Sequence, residues 1–142
     1  MTETELSEII GEIKATFEKM ISHSQQAKLD TFLDYYDDSP HFLSISADGK
    51  ISTYPQFREA CRVYYQGLVK QTVSTLQEKF QVLDETLVIM GWTGNIRAEL
   101  RNGDNMIMNN YSITSVFKKI NGKWKVIHDH ESALPPEIVK SR

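Results

Sequence analysis

Residues 114–132 read TSVFKKINGKWKVIHDHES, and this stretch decides the fold. Apolar and polar residues alternate along most of it, which predicts two β-strands because successive side chains of a strand point to opposite faces of a sheet. Asn121-Gly122 lies between the two runs and is a typical hairpin turn sequence. We therefore predict an antiparallel pair of strands at about Met106–Ile120 and Lys123–Ser132.

The same period of two extends towards the N-terminus of this pair. It predicts two further strands, at about Thr72–Leu83 and Thr86–Arg101. Turn signals separate them from their neighbours, with DE at residues 84–85 and RNGDN at residues 101–105. Long strands with such short connections form an antiparallel meander.

The first third of the chain shows the helical period instead. Thr2 and Glu5 have the spacing of a capping box, which marks the start of the first helix. Ser22 and Gln25 repeat that spacing before a second predicted helix at about Leu29–Tyr36. The apolar stripe of the first helix consists of Leu6, Ile9, Ile10, Ile13, Phe17, Met20 and Ile21.

A short strand and a third helix complete the N-terminal half. The second helix must end before Pro40, because the residue that precedes a proline disfavours the helical conformation. HFLSI, at residues 41–45, is typical of a short strand. Thr53 and Gln56 then match another capping box, which predicts a third helix within residues 52–68.

Three helices followed by a sheet of long strands indicate an α+β domain in which the helices cover one side of an antiparallel sheet. A chain of 142 residues, 40% of them apolar, has room for one such domain and not for two. We therefore predict a single domain over residues 1–142, with its core at about residues 6–135 and a loose tail after Pro135-Pro136.

The charge pattern excludes several kinds of partner. The net charge is −3 and the Lys and Arg residues are scattered, so a nucleic-acid partner is not expected. The acidic start MTETELSEII lacks the pattern of a signal peptide, and no stretch reaches the length of a membrane span. We expect a cytoplasmic protein with no membrane partner, whose single cysteine, Cys61, is a small core residue rather than a reactive thiol.

The element order and the segment Thr114–Ser132 resemble the nuclear transport factor 2-like superfamily, and within it the SnoaL-like group and the association domain of calcium/calmodulin-dependent kinases. In that segment the Thr, Val, Gly, Trp, Val, both His and Ser fall where those sequences place them. The resemblance implies a cone-like fold, in which a bent antiparallel sheet wraps around three helices and leaves a pocket between them. It also implies a dimer through the outer face of the sheet.

The activities of the resembling groups are diverse. They include isomerases, dehydratases, polyketide cyclases, epoxide hydrolases and proteins that only bind or assemble, so the fold alone does not choose among them. The ketosteroid isomerase branch has a proton-abstracting carboxylate on or beside the first strand, where this sequence has Ser44. The kinase association domain presents arginines into its pocket, and the matching positions here carry Gly94, Ser115 and Glu131. Neither that isomerase chemistry nor the binding of acidic peptides is therefore expected.

Aromatic side chains from the helices, the first strand and two long strands converge on the implied pocket. They are Tyr36, Phe42, Tyr54, Phe57, Tyr64, Trp92 and Tyr111. Rings supply apolar walls and phenols supply orienting hydrogen bonds, which suits a small, largely apolar ligand. The alternative is ordinary core packing, since cores and pocket walls use the same residue types.

The direction of His128 and His130 depends on the preceding hairpin turn. A three-residue turn with a glycine bulge places both histidines with Trp124 on the outer face, as a dimer surface, whereas a two-residue turn reverses the faces. We prefer the first, because the resemblance favours it. It adds Ser115 and Glu131 to the predicted ligand-binding residues, within a pocket-facing set of Ile113, Ser115, Ile127, Asp129 and Glu131.

If the protein is an enzyme, its candidate catalytic residues are His41, Asp129 and His130. Imidazole and perturbed carboxyl groups exchange protons near neutral pH, which suits acid–base chemistry. His41 would lie near the pocket mouth with Asp37 or Asp38 to orient it, and the alternative is an exposed loop histidine. We predict no cofactor and no metal, because no set of side chains has the spacing of a metal site.

Three functions remain open on the sequence. We favour a homodimeric domain that binds a small, largely apolar molecule. The second is a cofactor-independent isomerase, dehydratase or polyketide-cyclase-type enzyme, and the third is a structural oligomerisation module. The same fold serves all three, so the choice depends on the site.

Overall fold

The computed structural model describes residues 1–141, and it contains the three helices, the early strand and the four long strands that the sequence predicts, together with two short strands that were not predicted. Those residues form α1 (Glu3–Gln25), α2 (Leu29–Leu33), β1 (Leu43–Ile45), β2 (Ile51–Ser52), α3 (Tyr54–Gln66), β3 (Leu68–Asp84), β4 (Leu87–Leu100), β5 (Asn105–Ile120), β6 (Lys123–Ser132) and β7 (Glu137–Val139). Within this range, none of the helices combines the length and the apolar character needed to cross a membrane.

Side-chain caps fix where the two longer helices begin. The Thr2 hydroxyl accepts a hydrogen bond from the backbone N–H of Glu5 at 3.1 Å. The Glu5 carboxylate in turn accepts one from the backbone N–H of Thr2 at 3.0 Å. Thr53 and Gln56 form the same reciprocal box at the start of α3. Both predicted boxes are confirmed, and they satisfy backbone donors that a helix N-terminus otherwise leaves unpaired.

The second helix begins at Leu29, as predicted, but is shorter than predicted. α1 continues through Ser22, so the predicted cap there is wrong, and the chain turns at Ala27, which has a φ of 55°. α2 ends at Leu33, after which Tyr36 pairs with Val126 of β6 in a single parallel bridge. The residues after Leu33 therefore join the edge of the sheet instead of completing further helical turns.

The strands form one curved sheet in the order β2-β1-β6-β5-β4-β3, with β7 beside β5. The four long strands, β3 to β6, are antiparallel neighbours in sequence order, which confirms the predicted meander. β1 runs parallel to β6, so the sheet is mixed, and the expectation of a purely antiparallel sheet is wrong at this pairing. Ile13, Phe17 and Met20 of α1 pack against the inner face of the sheet, which confirms the α+β class.

The C-terminal segment forms a strand rather than the loose tail that we expected. β7 pairs with residues 105–107 of β5. Beyond β7, the Asp104 carboxylate accepts a hydrogen bond from the backbone N–H of Ser141 at 2.9 Å and lies 3.4 Å from the Lys140 ammonium. The ordered domain therefore extends past Pro135-Pro136.

A bulge at Ile127 determines which side chains of β6 face the helices. Val116 of β5 pairs with His128 and Phe117 pairs with Val126, so Ile127 has no partner in β5. Side chains of a strand alternate between the two faces, and an extra residue shifts that alternation by one. The inward positions of β6 are therefore even-numbered before the bulge and odd-numbered after it.

Two predictions about this hairpin are wrong. The turn has two residues, Asn121 and Gly122, both with positive φ, and not three. Trp124 does not lie on the outer face: its side chain is in the core, and its indole N–H donates to Glu12 Oε2 of α1 at 2.6 Å. The two-residue turn aims Trp124 inward, and only the later bulge turns the histidines outward.

Gly94 makes room for the indole of Trp92. The Trp92 N–H donates to the Thr75 hydroxyl of β3 at 2.9 Å, which holds the ring over the backbone of β4. A Cβ atom at Gly94 would lie 2.3 Å from the Trp92 ring and 2.5 Å from the backbone oxygen of Ser74. The orientation of Trp92 therefore depends on the absence of a side chain two positions further along the strand.

We expect Gly94→Ala to lower the free energy of unfolding by about 2–3 kcal/mol, because the new methyl group overlaps both a ring and a backbone oxygen. The matched control is Gly11→Ala in α1, where an added Cβ meets nothing within 4 Å. The control should be neutral or slightly stabilising. Urea denaturation checks both variants, and equal stabilities would contradict the steric argument.

Candidate functional site

A cavity of about 660 Å³ lies between the helices and the inner face of the sheet. Aromatic rings form much of its lining. They are Phe17, Phe32, Tyr36, Phe57, Tyr64, Tyr65, Trp92 and Tyr111. The volume is within the range of protein pockets that take small organic ligands.

The structure separates the seven aromatic residues singled out in the sequence into two groups. Five of them line the cavity, namely Tyr36, Phe57, Tyr64, Trp92 and Tyr111. Phe42 and Tyr54 are buried outside the lining and pack edge to face, with ring centroids 5.6 Å apart. The Phe42 ring also supports Phe57, with centroids 5.1 Å apart. These two residues therefore belong to the core that backs the cavity wall.

Two carboxyl groups lie on the inner face near the end of β6. Glu131 lines the cavity, and its Oε2 accepts a hydrogen bond from the Tyr111 hydroxyl of β5. Asp129 is only 1% exposed and accepts a hydrogen bond from the Ser44 hydroxyl at 2.5 Å. Ser44 reaches it because the two residues are partners in the parallel pairing of β1 with β6. Across residues 1–141, no cluster of three His, Cys, Asp or Glu side chains is arranged to hold a metal ion.

Burial makes both carboxyl groups weaker acids. Loss of hydration raises the pKa of Asp129 to about 6, against the opposing effect of the Ser44 hydrogen bond. Burial, followed by the nearby charge of Asp129, raises the pKa of Glu131 to about 7, against the opposing effect of the Tyr111 hydrogen bond. The pair therefore titrates close to neutral pH, well above the ordinary range of carboxyl groups.

α3 contributes a neutral polar group and a thiol to the same cavity. The Tyr64 hydroxyl donates to Gln71 Oε1 at 2.7 Å, and Gln71 Nε2 donates to the backbone oxygen of Ser24 at 3.2 Å. Cys61 also lines the cavity, and burial raises the pKa of its thiol to about 12. A thiol that holds its proton so strongly is a weak nucleophile, which supports the interpretation of Cys61 as a packing residue.

The candidate histidines lie away from the cavity. His130 is exposed on the face of the sheet opposite to Asp129, so these two side chains cannot act on one bound molecule. His41 is exposed in the turn before β1 and is not a lining residue. Ser115 is buried on the inner face as the register partner of Asp129, behind the lining. Of the three candidate catalytic residues, only Asp129 adjoins the cavity, through Ser44.

One side of the cavity was missed by sequence reasoning. It is formed by Met106 and Met108 of β5 and by residues 133–136, which follow β6. Asp48, in the turn between β1 and β2, also lines the cavity and accepts a hydrogen bond from the Ser46 hydroxyl at 2.7 Å. The sequence feature that could have indicated this wall is the spacing of Met106 and Met108, which are two positions apart and therefore share one face of a strand.

We expect the buried pair to make stability depend on pH. Protonated carboxyl groups are favoured in the fold, so their contribution is fully present below the unfolded pKa near 4.5 and is lost as pH rises through about 7. Glu131→Gln, which is neutral at every pH, should therefore be more stable than the wild type by about 2 kcal/mol at neutral to basic pH. That advantage should vanish in acid.

Urea denaturation across this pH range measures the effect. Glu85→Gln, at an exposed turn between β3 and β4, makes the same charge change away from the cavity. The control should follow the wild-type profile. A Glu131→Gln variant whose profile also follows the wild type would contradict the buried pair as the cause.

Solved structures share this architecture at low sequence identity. A provisionally named scytalone dehydratase from Novosphingobium aromaticivorans has a TM-score of 0.84 at 12% identity, over 100% of this chain and 94% of that one. A hexachlorocyclohexane dehydrochlorinase of LinA type 3 from Novosphingobium barchaimii has a TM-score of 0.78 at 7% identity, over 99% and 97%. The association domain of CaMKII from C. elegans has a TM-score of 0.73 at 17% identity, over 92% and 99%.

These likenesses establish a shared fold, and their different activities do not select one for this chain. Among curated proteins, no sequence matches this chain. The sequence profile of the SnoaL-like domain matches residues 13–136, which cover the core helices, the meander and the cavity lining up to Pro136. The chain therefore belongs to the SnoaL-like domain family.

Proposed function

We propose that this protein binds a small, largely apolar molecule in the cavity between its helices and sheet. The observation that carries the proposal is the combination of a cavity of about 660 Å³, a lining rich in aromatic rings, and only two carboxyl groups, those of Asp48 and Glu131. Binding pockets for small molecules are typically apolar, with few polar groups that fix the orientation of the ligand. This lining has that composition.

The polar groups of the lining support an oriented ligand. Glu131 and Tyr111 are joined by a hydrogen bond on the sheet side, and Tyr64 and Gln71 are joined by another between α3 and β3. Both pairs hold their members in fixed positions next to the cavity. A ligand with one polar end and an apolar body would meet a hydrogen-bonding group at one point and rings elsewhere.

Reducing the volume of the cavity should weaken binding. Cys61→Phe places a ring into the cavity from α3, and we expect at least a tenfold loss of affinity, about 1.4 kcal/mol, for a neutral apolar dye such as Nile red. Dye fluorescence titration measures the affinity, and circular dichroism confirms the fold.

The control on the same helix is Val63→Phe, because Val63 is 57% exposed and is not a lining residue. It adds a ring of the same size outside the cavity and should leave the affinity unchanged. Equal affinities for both variants would place the dye elsewhere and contradict the proposed site.

A second candidate function is acid–base catalysis without a cofactor. Asp129 and Glu131 both titrate close to neutral pH, where a carboxyl group both accepts and donates protons effectively. Glu131 opens onto the cavity and would exchange the proton, while the Ser44 hydroxyl holds Asp129 behind it. A compound that the wild type converts, and that the Glu131→Gln variant binds without converting, would identify this chemistry.

We also propose a homodimer through the outer face of the sheet. That face carries a shallow groove lined mostly by small and polar residues, with His130 at one side. Its outer members include Gly91, Thr93, Ser112, Thr114 and Ser132. Small side chains allow close approach of a second sheet, and a two-fold axis would place identical faces against each other. Trp124 takes no part, since it lies in the core.

The dimer should bury at least ~1,000 Å² in total, the range of specific interfaces. Thr93→Arg introduces a long charged side chain into the groove and should convert the dimer into a monomer. Light scattering with size-exclusion chromatography measures the mass. Thr86→Arg, at the exposed turn between β3 and β4, is the control and should remain dimeric. A wild-type monomer at neutral pH would refute the interface.

A further inference from the structure

The charged side chains that line the cavity are all acidic. They are Asp48, in the turn between β1 and β2, and Glu131, at the end of β6. Asp129 lies directly behind the lining residue Ser44. The described lining contains no Lys, Arg or His side chain. A bound molecule therefore meets negative charge and no compensating positive charge.

Glu131 has an oxygen that remains open to a ligand. Its Oε2 accepts the Tyr111 hydrogen bond, while no hydrogen bond within residues 1–141 reaches its Oε1. The side chain is only partly shielded from solvent, because it faces the cavity. A buried carboxylate with an open oxygen is stabilised most by a cationic hydrogen-bond donor, since charge-assisted bonds are the strong ones.

The rings around Glu131 suit the same kind of ligand. Tyr111, Tyr64 and Trp92 all contribute to the cavity wall. An ammonium group is attracted to the face of an aromatic ring, and the attraction grows when water is excluded. Aromatic walls also cover the apolar body of a ligand, so one cavity accommodates both of its parts.

From this geometry we propose that the ligand is an organic amine: an apolar body that carries one ammonium group, which donates to Glu131 Oε1 inside the aromatic wall. The inference rests on the proposed function, because it names the ligand class of the same cavity. Asp48, on the β1–β2 turn, adds negative charge that favours the approach of a cation.

The groups that face Glu131 determine how binding depends on pH. They are Asp129 of β6, Tyr111 of β5, Tyr64 and Cys61 of α3, and Tyr36 before β1. Each of these is an acid, and none becomes positively charged at any pH. An amine of ordinary basicity stays protonated up to about pH 10, so its affinity should rise as Glu131 loses its proton. A neutral ligand gains nothing from that ionisation.

Three probes of matched shape test the inference: naphthylethylamine, naphthylethanol and naphthylacetic acid, each titrated by calorimetry. At about pH 8 the amine should bind at least about tenfold more tightly than the alcohol, and the acid should bind most weakly. At about pH 5, where the carboxyl pair is protonated, the advantage of the amine should disappear. Binding of the amine near pH 7 should also release a proton, which titrations in buffers of different ionisation enthalpy detect.

Two variants assign the effect to Glu131. Glu131→Gln should bind the amine no more tightly than the alcohol, while its affinity for the alcohol stays at the wild-type value. Glu85→Gln, at an exposed position between β3 and β4, should show wild-type affinities for all three probes. An alcohol that binds as tightly as the amine at about pH 8, or an acid that binds best, overturns the amine inference and leaves the ligand pocket standing. If none of the three probes binds, the proposed function fails together with the inference.

Discussion

The unpaired residue Ile127 is the constraint on which the rest of the architecture depends. Before it, β6 directs Trp124 and Val126 into the core against α1, where the indole N–H meets the Glu12 carboxylate. After it, the same strand directs Asp129 and Glu131 inward. A regular strand would keep one parity throughout and would aim the histidines at the helices. One extra residue thus lets a single strand provide both a core and a polar end to the cavity.

The sequence predicted local structure well because local rules act within a few residues. Capping boxes at Thr2 and Thr53, the change of period after α3, and the four long strands all depend on neighbours along the chain. The bulge at Ile127 was not predicted, because Val126 and Ile127 are consecutive apolar residues and alternation gives no signal there. The two-residue turn and the outward histidines were treated as exclusive alternatives, and the bulge reconciles them.

The site was predicted only in part, for a related reason. Aromatic residues of the core and of the cavity wall are indistinguishable in sequence, so Phe42 and Tyr54 were grouped with Phe57. The environment of Asp129 depends on Ser44, 85 positions away, and no local pattern reports that contact. β7 was missed because a three-residue strand after two prolines carries too little periodicity to be recognised.

The parallel pairing of β1 with β6 has a consequence for the order of folding. The helices and the meander form from contacts that are close in sequence, whereas β1 joins only when residues near 44 meet residues near 129. Closing so long a loop is entropically unfavourable until much of the sheet already exists. The polar end of the cavity should therefore form in the last steps of folding, and during synthesis it must await the C-terminal strand. A nascent chain that stops at Ile120 would have most of the meander but neither Asp129 nor Glu131.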